Sequence, residues 1–110
     1  MTKPLKETLL EKERFELKPK SGGGLLIYEV WGYKDRSKAV VTRYNLAYIN
    51  AAIYSGDNGR VLGFDNAHGY HHRHFMGKVE AVDFESYEAT LERFQMEWLA
   101  IVQQTGAKKL

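Results

Sequence analysis

Hydrophobic and polar residues alternate with a period of two along most of the first two thirds of the chain, then with a helical period near its end. The run RFELK after Glu13 puts Phe15 and Leu17 on one side, as a half-buried strand does. LLIYEVWGY, residues 25–33, is rich in strand formers, and KPKSGGG before it carries the proline and glycines of a turn, so the two runs predict a hairpin. KDRSK, 34–38, reads as a charged turn. AVVTRYNLAYINAAIY, 39–54, sets Tyr44, Leu46 and Tyr48 on one face and Ala47, Ile49, Ala51 and Ile53 on the other; apolar groups on both faces predict a central strand. Asn58-Gly59, between alternating runs, signals a second tight hairpin, because such a turn needs positive φ at both centres. RVLGFDN is then the fourth strand. After a Ser86 cap, Tyr87, Leu91, Phe94, Trp98, Leu99, Ile101 and Val102 recur at helical spacing, with Gly106 as a stop. The first eleven residues stay open between helix and strand: Pro4 behind Thr2 suits a helix start, but Leu5, Leu9 and Leu10 make only a short stripe. The expected architecture is α+β, a four-stranded antiparallel sheet of two hairpins packed against a long C-terminal helix, in one domain over 1–110.

Composition narrows the function classes. The chain has 110 residues and is 44% hydrophobic and 27% charged, which suits one modest core and one site. No apolar run approaches the ~20 residues of a membrane span, so no membrane partner is expected. MTKPLKETLLEKERF lacks the apolar stretch of a secretory leader, which makes the cytoplasm the expected compartment. With no cysteine there is no disulfide framework and no thiolate nucleophile, and any metal would need His and carboxylate ligands. The net charge of +2 is unevenly spread: residues 1–78 are basic, 79–104 are acidic, and Lys108 and Lys109 end the chain. A basic body of this kind suits a polyanion, while the acidic element suits a basic partner or a solvated helix face.

FDNAHGYHHRHFMGK, Phe64 to Lys78, holds all four histidines: His68, His71, His72 and His74. Three readings stay open on the residues alone. Imidazoles with Asp65 could ligate a metal; neighbouring histidines of an extended chain point to opposite faces, which leaves His72 and His74 as the pair able to share one. The same groups could perform acid–base cleavage of RNA, one taking the ribose 2′-hydroxyl proton and another protonating the leaving 5′ oxygen. In that case Arg73 would clamp the phosphate, Lys78 and Arg60 would add charge, Tyr70 or Tyr44 would stack a base, and Asp65 would orient an imidazole. The third reading is a polar, solvated connection, with Asp65-Asn66 ending a strand as Asx residues do. The three glycines at 22–24 lack the lysine and helix of a phosphate loop and read as a turn.

The order of hairpin, tyrosine-bearing strand, GDNGRVLGFDNAHGYHHRH, GKVE and FESYEATLERF resembles the TumE-like toxin family of prokaryotic toxin–antitoxin systems, over about Phe15 to Ile101. The most specific part is Phe64, Asp65, Asn66, His71, His72, Arg73 and His74. The resemblance implies a small growth-inhibiting toxin neutralised by a DNA-binding antitoxin encoded beside it. The layout is also similar to RelE/ParE-type toxins, small sheets packed with helices, some of which cleave mRNA at the ribosome.

Residues and resemblance together lead to the expectation of a metal-independent endoribonuclease with no cofactor, acting on RNA that could be ribosome-bound. His71, His72 and His74 would transfer protons, Arg73 would neutralise phosphate and Asp65 would orient; Tyr70, Tyr44, Arg60, Lys78 and Asn66 would bind substrate. A homodimer is compatible with this reading. The alternatives are a non-catalytic nucleic-acid-binding or transcriptional regulatory protein, distinguished by salt-dependent binding without cleavage, and a His-bound metal domain.

Overall fold

A computed structural model describes residues 6–106; Thr2, Pro4, Leu5, Lys108 and Lys109 lie outside them. Six antiparallel strands follow one another across a single sheet in chain order: β1 (Thr8–Glu16), β2 (Leu25–Asp35), β3 (Lys38–Ile49), β4 (Arg60–Asp65), β5 (His72–Phe75) and β6 (Lys78–Ala81). Among the described residues one α-helix, α1 (Tyr87–Gly106), crosses one face. The register pairs Leu26 with Tyr48, Tyr28 with Leu46 and Val30 with Tyr44, and sets Leu62 and Phe64 beside Tyr48 and Leu46. These residues share the helix-facing side of the pleat. Tyr44, Leu46, Tyr48, Leu62 and Phe64 are buried there, and Phe94 of α1 completes the core. Phe94 meets Tyr28 and Phe64 edge-on, at 5.7 and 6.3 Å between ring centroids. Burial of a side chain this size contributes roughly 1.5–3 kcal/mol, so the aromatic seam is a main source of stability.

The sheet has six strands, not the expected four. Pairing of β5 with β4 and of β6 with β5 extends it through the segment that holds the histidines. Each added strand is four residues long, and HRHF and KVEA carry little of the β-branched signal that marks a strand in sequence. Their turn, Met76-Gly77, has positive φ at both residues, +46° and +85°, an unusual demand on a methionine. Rather than running to Tyr54, β3 stops at Ile49. Asn50 ends it: its side chain accepts from the Ala52 amide and donates to the Gly22 carbonyl, and its own carbonyl receives the amides of Ile53 and Tyr54. Asn58 and Gly59 do have positive φ, but within a short 3₁₀ turn (Asp57–Gly59) at the end of a longer connection, not in a two-residue hairpin. The open N-terminal segment is a strand from Thr8.

Ser86 caps the helix, its Oγ accepting the Ala89 amide at 3.0 Å. No helix of the described residues is long and apolar enough to cross a membrane.

Candidate functional site on the helix-free face of the sheet

Period-two alternation turns every second residue away from the helix. The cross-strand register lines up Lys12 of β1, Glu29 of β2, Asn45 of β3, Asp65 of β4 and His72 of β5 in one row on that opposite face. The neighbouring row holds Ile27, Ala47, Gly63 and His74. A central sheet thus carries an aspartate and two imidazoles side by side without a loop having to place them.

Asp65 is the hub. Its Oδ1 lies 2.8 Å from His72 Nε2 and accepts the Ala67 amide at 3.0 Å; its Oδ2 lies 2.9 Å from His74 Nε2. The three side chains are 5–12% exposed, so these bonds form in a partly dry environment where charge-assisted hydrogen bonds are strong. Arg60 extends the network: it donates from Nη2 to His74 Nδ1 at 3.1 Å and is held at Nε by Asp57 at 2.8 Å. Gly63 makes room for it. A Cβ on Gly63 would stand 2.9 Å from Arg60 Cδ and 3.3 Å from the Leu46 carbonyl oxygen.

Hydrogen-bond polarity fixes the imidazoles. An arginine can only donate, so His74 Nδ1 accepts and its proton sits on Nε2, directed at Asp65. Burial holds the His74 pKa below the ordinary imidazole value, and the Arg60 charge acts in the same direction; Asp65 opposes them. His74 is therefore a neutral ring whose lone pair meets a guanidinium. His72 differs: Nδ1 faces the Tyr70 carbonyl at 3.1 Å and Nε2 faces a carboxylate, so both ring nitrogens are satisfied when both carry hydrogen. Two imidazoles 4.8 Å apart are thus directed to opposite roles, acceptor and donor.

Asp65, His72 and His74 also offer three ligand atoms within 4.8 Å of one another, the separation a metal ion would need. His72 fits, since a ligand through Nε2 wants its Nδ1–H on a carbonyl, as here. His74 does not. A ligating Nε2 requires hydrogen on Nδ1, and that atom faces the Arg60 donor. With Arg60 adding its own positive charge, 4.0 Å from Asp65, the donor set suits protons and an anion better than a cation.

The other expected site residues fall elsewhere. Arg73, one step along β5, points to the helix side and is bound by Glu97 at 2.6 Å and Glu80 at 3.2 Å, so alternation separates it from the imidazoles it was expected to join. His71 also lies apart, stacked on Phe84 at 3.8 Å with Nδ1 2.9 Å from the Tyr44 hydroxyl. Its pKa is lowered first by burial and then by His72. Tyr44 is 2% exposed in the core, its phenol pushed up to about 12 mainly by burial, and it has no free face on which to stack a base. Asn66 bridges β4 to β3 through the Tyr44 amide and the Thr42 carbonyl. Lys78 is exposed at the β5–β6 turn, and His68 is exposed in a turn at φ +63°. Tyr70 is exposed and covers His72 with ring centroids 4.6 Å apart.

Beside the Arg60–Asp65 edge lies a cleft of about 320 Å³ lined by Glu29, Trp31, Arg43 and Asn45 as well. Arg43 lies over the Trp31 indole, 4.5 Å from its centroid. Sequence reading overlooked these four residues, although extending the alternation of Asp65 across the sheet would have found them. A larger cavity of about 580 Å³, between the glycine turn and Thr105, has no titratable side chain in its wall.

No family model matches the chain, and neither the curated proteins nor the solved structures include a significant match to it.

Proposed function

We propose that the protein is a metal-independent endoribonuclease and the toxin of a toxin–antitoxin module. The single observation that carries the chemistry is Asp65 holding two imidazoles, one of which keeps its lone pair under Arg60. A scissile phosphate arriving at this edge draws the Arg60 guanidinium from His74 Nδ1 and frees that nitrogen as a base. His74 then takes the 2′-hydroxyl proton, the 2′ oxygen attacks phosphorus, and the bond to the 5′ oxygen breaks as that oxygen takes a proton from water, while His72, held between Asp65 and the Tyr70 carbonyl, braces the carboxylate. The products are a 2′,3′-cyclic phosphate and a 5′-hydroxyl. Asp65 keeps the His74 ring oriented, and Arg60 offsets the charge growing on the phosphoryl oxygens. The toxin role rests on the resemblance of the histidine segment and of the helix that follows to TumE-like toxins; the acidic surface of 79–104 suits a basic antitoxin segment.

The protein, expressed from a tight promoter alone and together with its neighbouring gene, is the test. Growth arrest relieved by the neighbour, with new RNA ends bearing 2′,3′-cyclic phosphate, is expected. His74→Ala lowers cleavage by about 10²–10⁴, the usual worth of a general base. Unaffected growth and intact RNA overturn the proposal. RNA binding that weakens with salt but leaves the strand intact supports instead a non-catalytic nucleic-acid-binding protein.

A further inference from the structure

We infer that the cleft beside Asp65 is a base-reading pocket selective for guanine, an inference that rests on the RNA reading above. Four features support it. The cleft, about 320 Å³, has room for one purine and shares Arg60 and Asp65 with the imidazole cluster. Its rim is a flat cation–aromatic pair, Arg43 over Trp31, of the kind on which bases stack. Besides Asp65, its wall supplies a second carboxylate and an amide, Glu29 and Asn45, which are direct cross-strand partners on the same face. Arg43 is ion-paired to Glu7 and Asp65 is taken by the imidazoles, so Glu29 is the carboxylate of this cleft not held by an arginine or imidazole among the described residues.

The donor pattern selects the base. A carboxylate accepts two parallel N–H groups, and guanine alone presents such a pair on its Watson–Crick edge, N1–H and the exocyclic N2 amine; its O6 then meets the Asn45 amide. Adenine and cytosine each place a ring-nitrogen acceptor against the carboxylate, and uracil brings one N–H flanked by two carbonyls. Each leaves a partly desolvated acceptor unpaired. The register also sets the reach. Asn45 pairs with Asp65 and Asp65 with His72, two strand spacings or about 10 Å in all. That is about the distance from a base to the phosphate of the same nucleotide, so a guanine in the cleft brings its own 3′-phosphate to His74 and Arg60. Lys12, beside Glu29 on β1, is placed to meet the preceding phosphate.

The test titrates the purified protein with guanosine, adenosine, cytidine and uridine 3′-monophosphates, none of which can be cleaved, following the heat of binding by calorimetry, and maps the cut sites on a mixed-sequence RNA. Guanosine 3′-monophosphate binds roughly ten- to a hundredfold more tightly than the others, the discrimination expected of one bidentate base contact. Glu29→Gln abolishes the preference, Trp31→Phe retains it, and both fold as the parent by circular dichroism. Equal affinity for the four nucleotides, or a guanine preference that survives Glu29→Gln, overturns the pocket. Guanine preference without cleavage sustains the pocket and defeats only the nuclease reading, whereas cleavage with no base preference does the reverse.

Discussion

Asp65→Asn removes one charge and keeps the shape, and its cost follows from the three bonds the carboxylate accepts, one of them from the Ala67 amide at 3.0 Å. The carboxylate accepts from His74 at 2.9 Å and His72 at 2.8 Å, and its side chain is only 11% exposed. The amide offers one oxygen and one NH₂, so with the NH₂ in the Oδ2 place the His74 Nε2–H meets a donor, and with it in the Oδ1 place the Ala67 amide does. Each charge-assisted bond contributes about 1.5–3 kcal/mol, and stranding a partner in a dry site adds to the loss. Discounting for the residual exposure, about 3 kcal/mol is expected, a large share of the roughly 5–15 kcal/mol that holds a domain together. For a domain of this size that loss lowers Tm by about 10–20 °C. Urea unfolding at neutral pH measures it, with Asp57→Asn as the control: Asp57 binds Arg60 at the surface and should cost under about 1 kcal/mol. An Asp65→Asn protein as stable as the Asp57→Asn control would refute the claim that this carboxylate organises two imidazoles.

Three further outcomes follow from the same geometry. Gly63→Ala places a Cβ 2.9 Å from Arg60 Cδ; because that chain can bend away, stability falls by only about 1 kcal/mol while RNA cleavage and binding drop, measured by urea midpoint and by kcat/KM. His71 and His74 both have lowered pKa values, so the unfolded chain binds more protons than the folded one between those values and the ordinary imidazole value of about 6.5. Stability is therefore full above that range and is lost as pH falls through it, and His74→Gln flattens the dependence of the urea midpoint between about pH 7.5 and 5. Arg73→Met breaks the tie to Glu97 and Glu80 and costs about 1–2 kcal/mol without reducing RNA cleavage; loss of cleavage in a folded Arg73→Met protein would return Arg73 to the site.

The central sheet and the helix were legible because their signals are long. Tyr44, Leu46 and Tyr48 alternate over a twelve-residue strand, and Phe94 and Trp98 recur on a helix that Ser86 caps. β5 and β6 were not, because four residues give alternation no length and Met76 occupies a backbone position normally left to glycine or asparagine. Missing β5 as a strand had a chemical consequence. Read as a loop, HHRH gathers three imidazoles and an arginine; paired with β4, it sends His72 and His74 to one face and Arg73 to the other. Arg60 then takes the cationic position, from fourteen residues away along the chain. Trp31, Arg43, Glu29 and Asn45 belong to strands distant in sequence, and only the sheet register brings them to Asp65.

The protonation pattern of the imidazoles is the most direct measure of the account. Long-range ¹H–¹⁵N spectra of the ¹⁵N-labelled protein distinguish a ring nitrogen that carries hydrogen from one that does not. His74 is expected as the neutral Nε2–H tautomer, and His72 with hydrogen on Nδ1; Arg60→Ala is expected to raise the His74 pKa, so that Nδ1 gains hydrogen at a higher pH while Nε2–H stays on Asp65. A His74 that carries its hydrogen on Nδ1 in the parent protein, or that binds zinc through Nε2 with Arg60 in place, would contradict the claim that Arg60 holds it ready as a base.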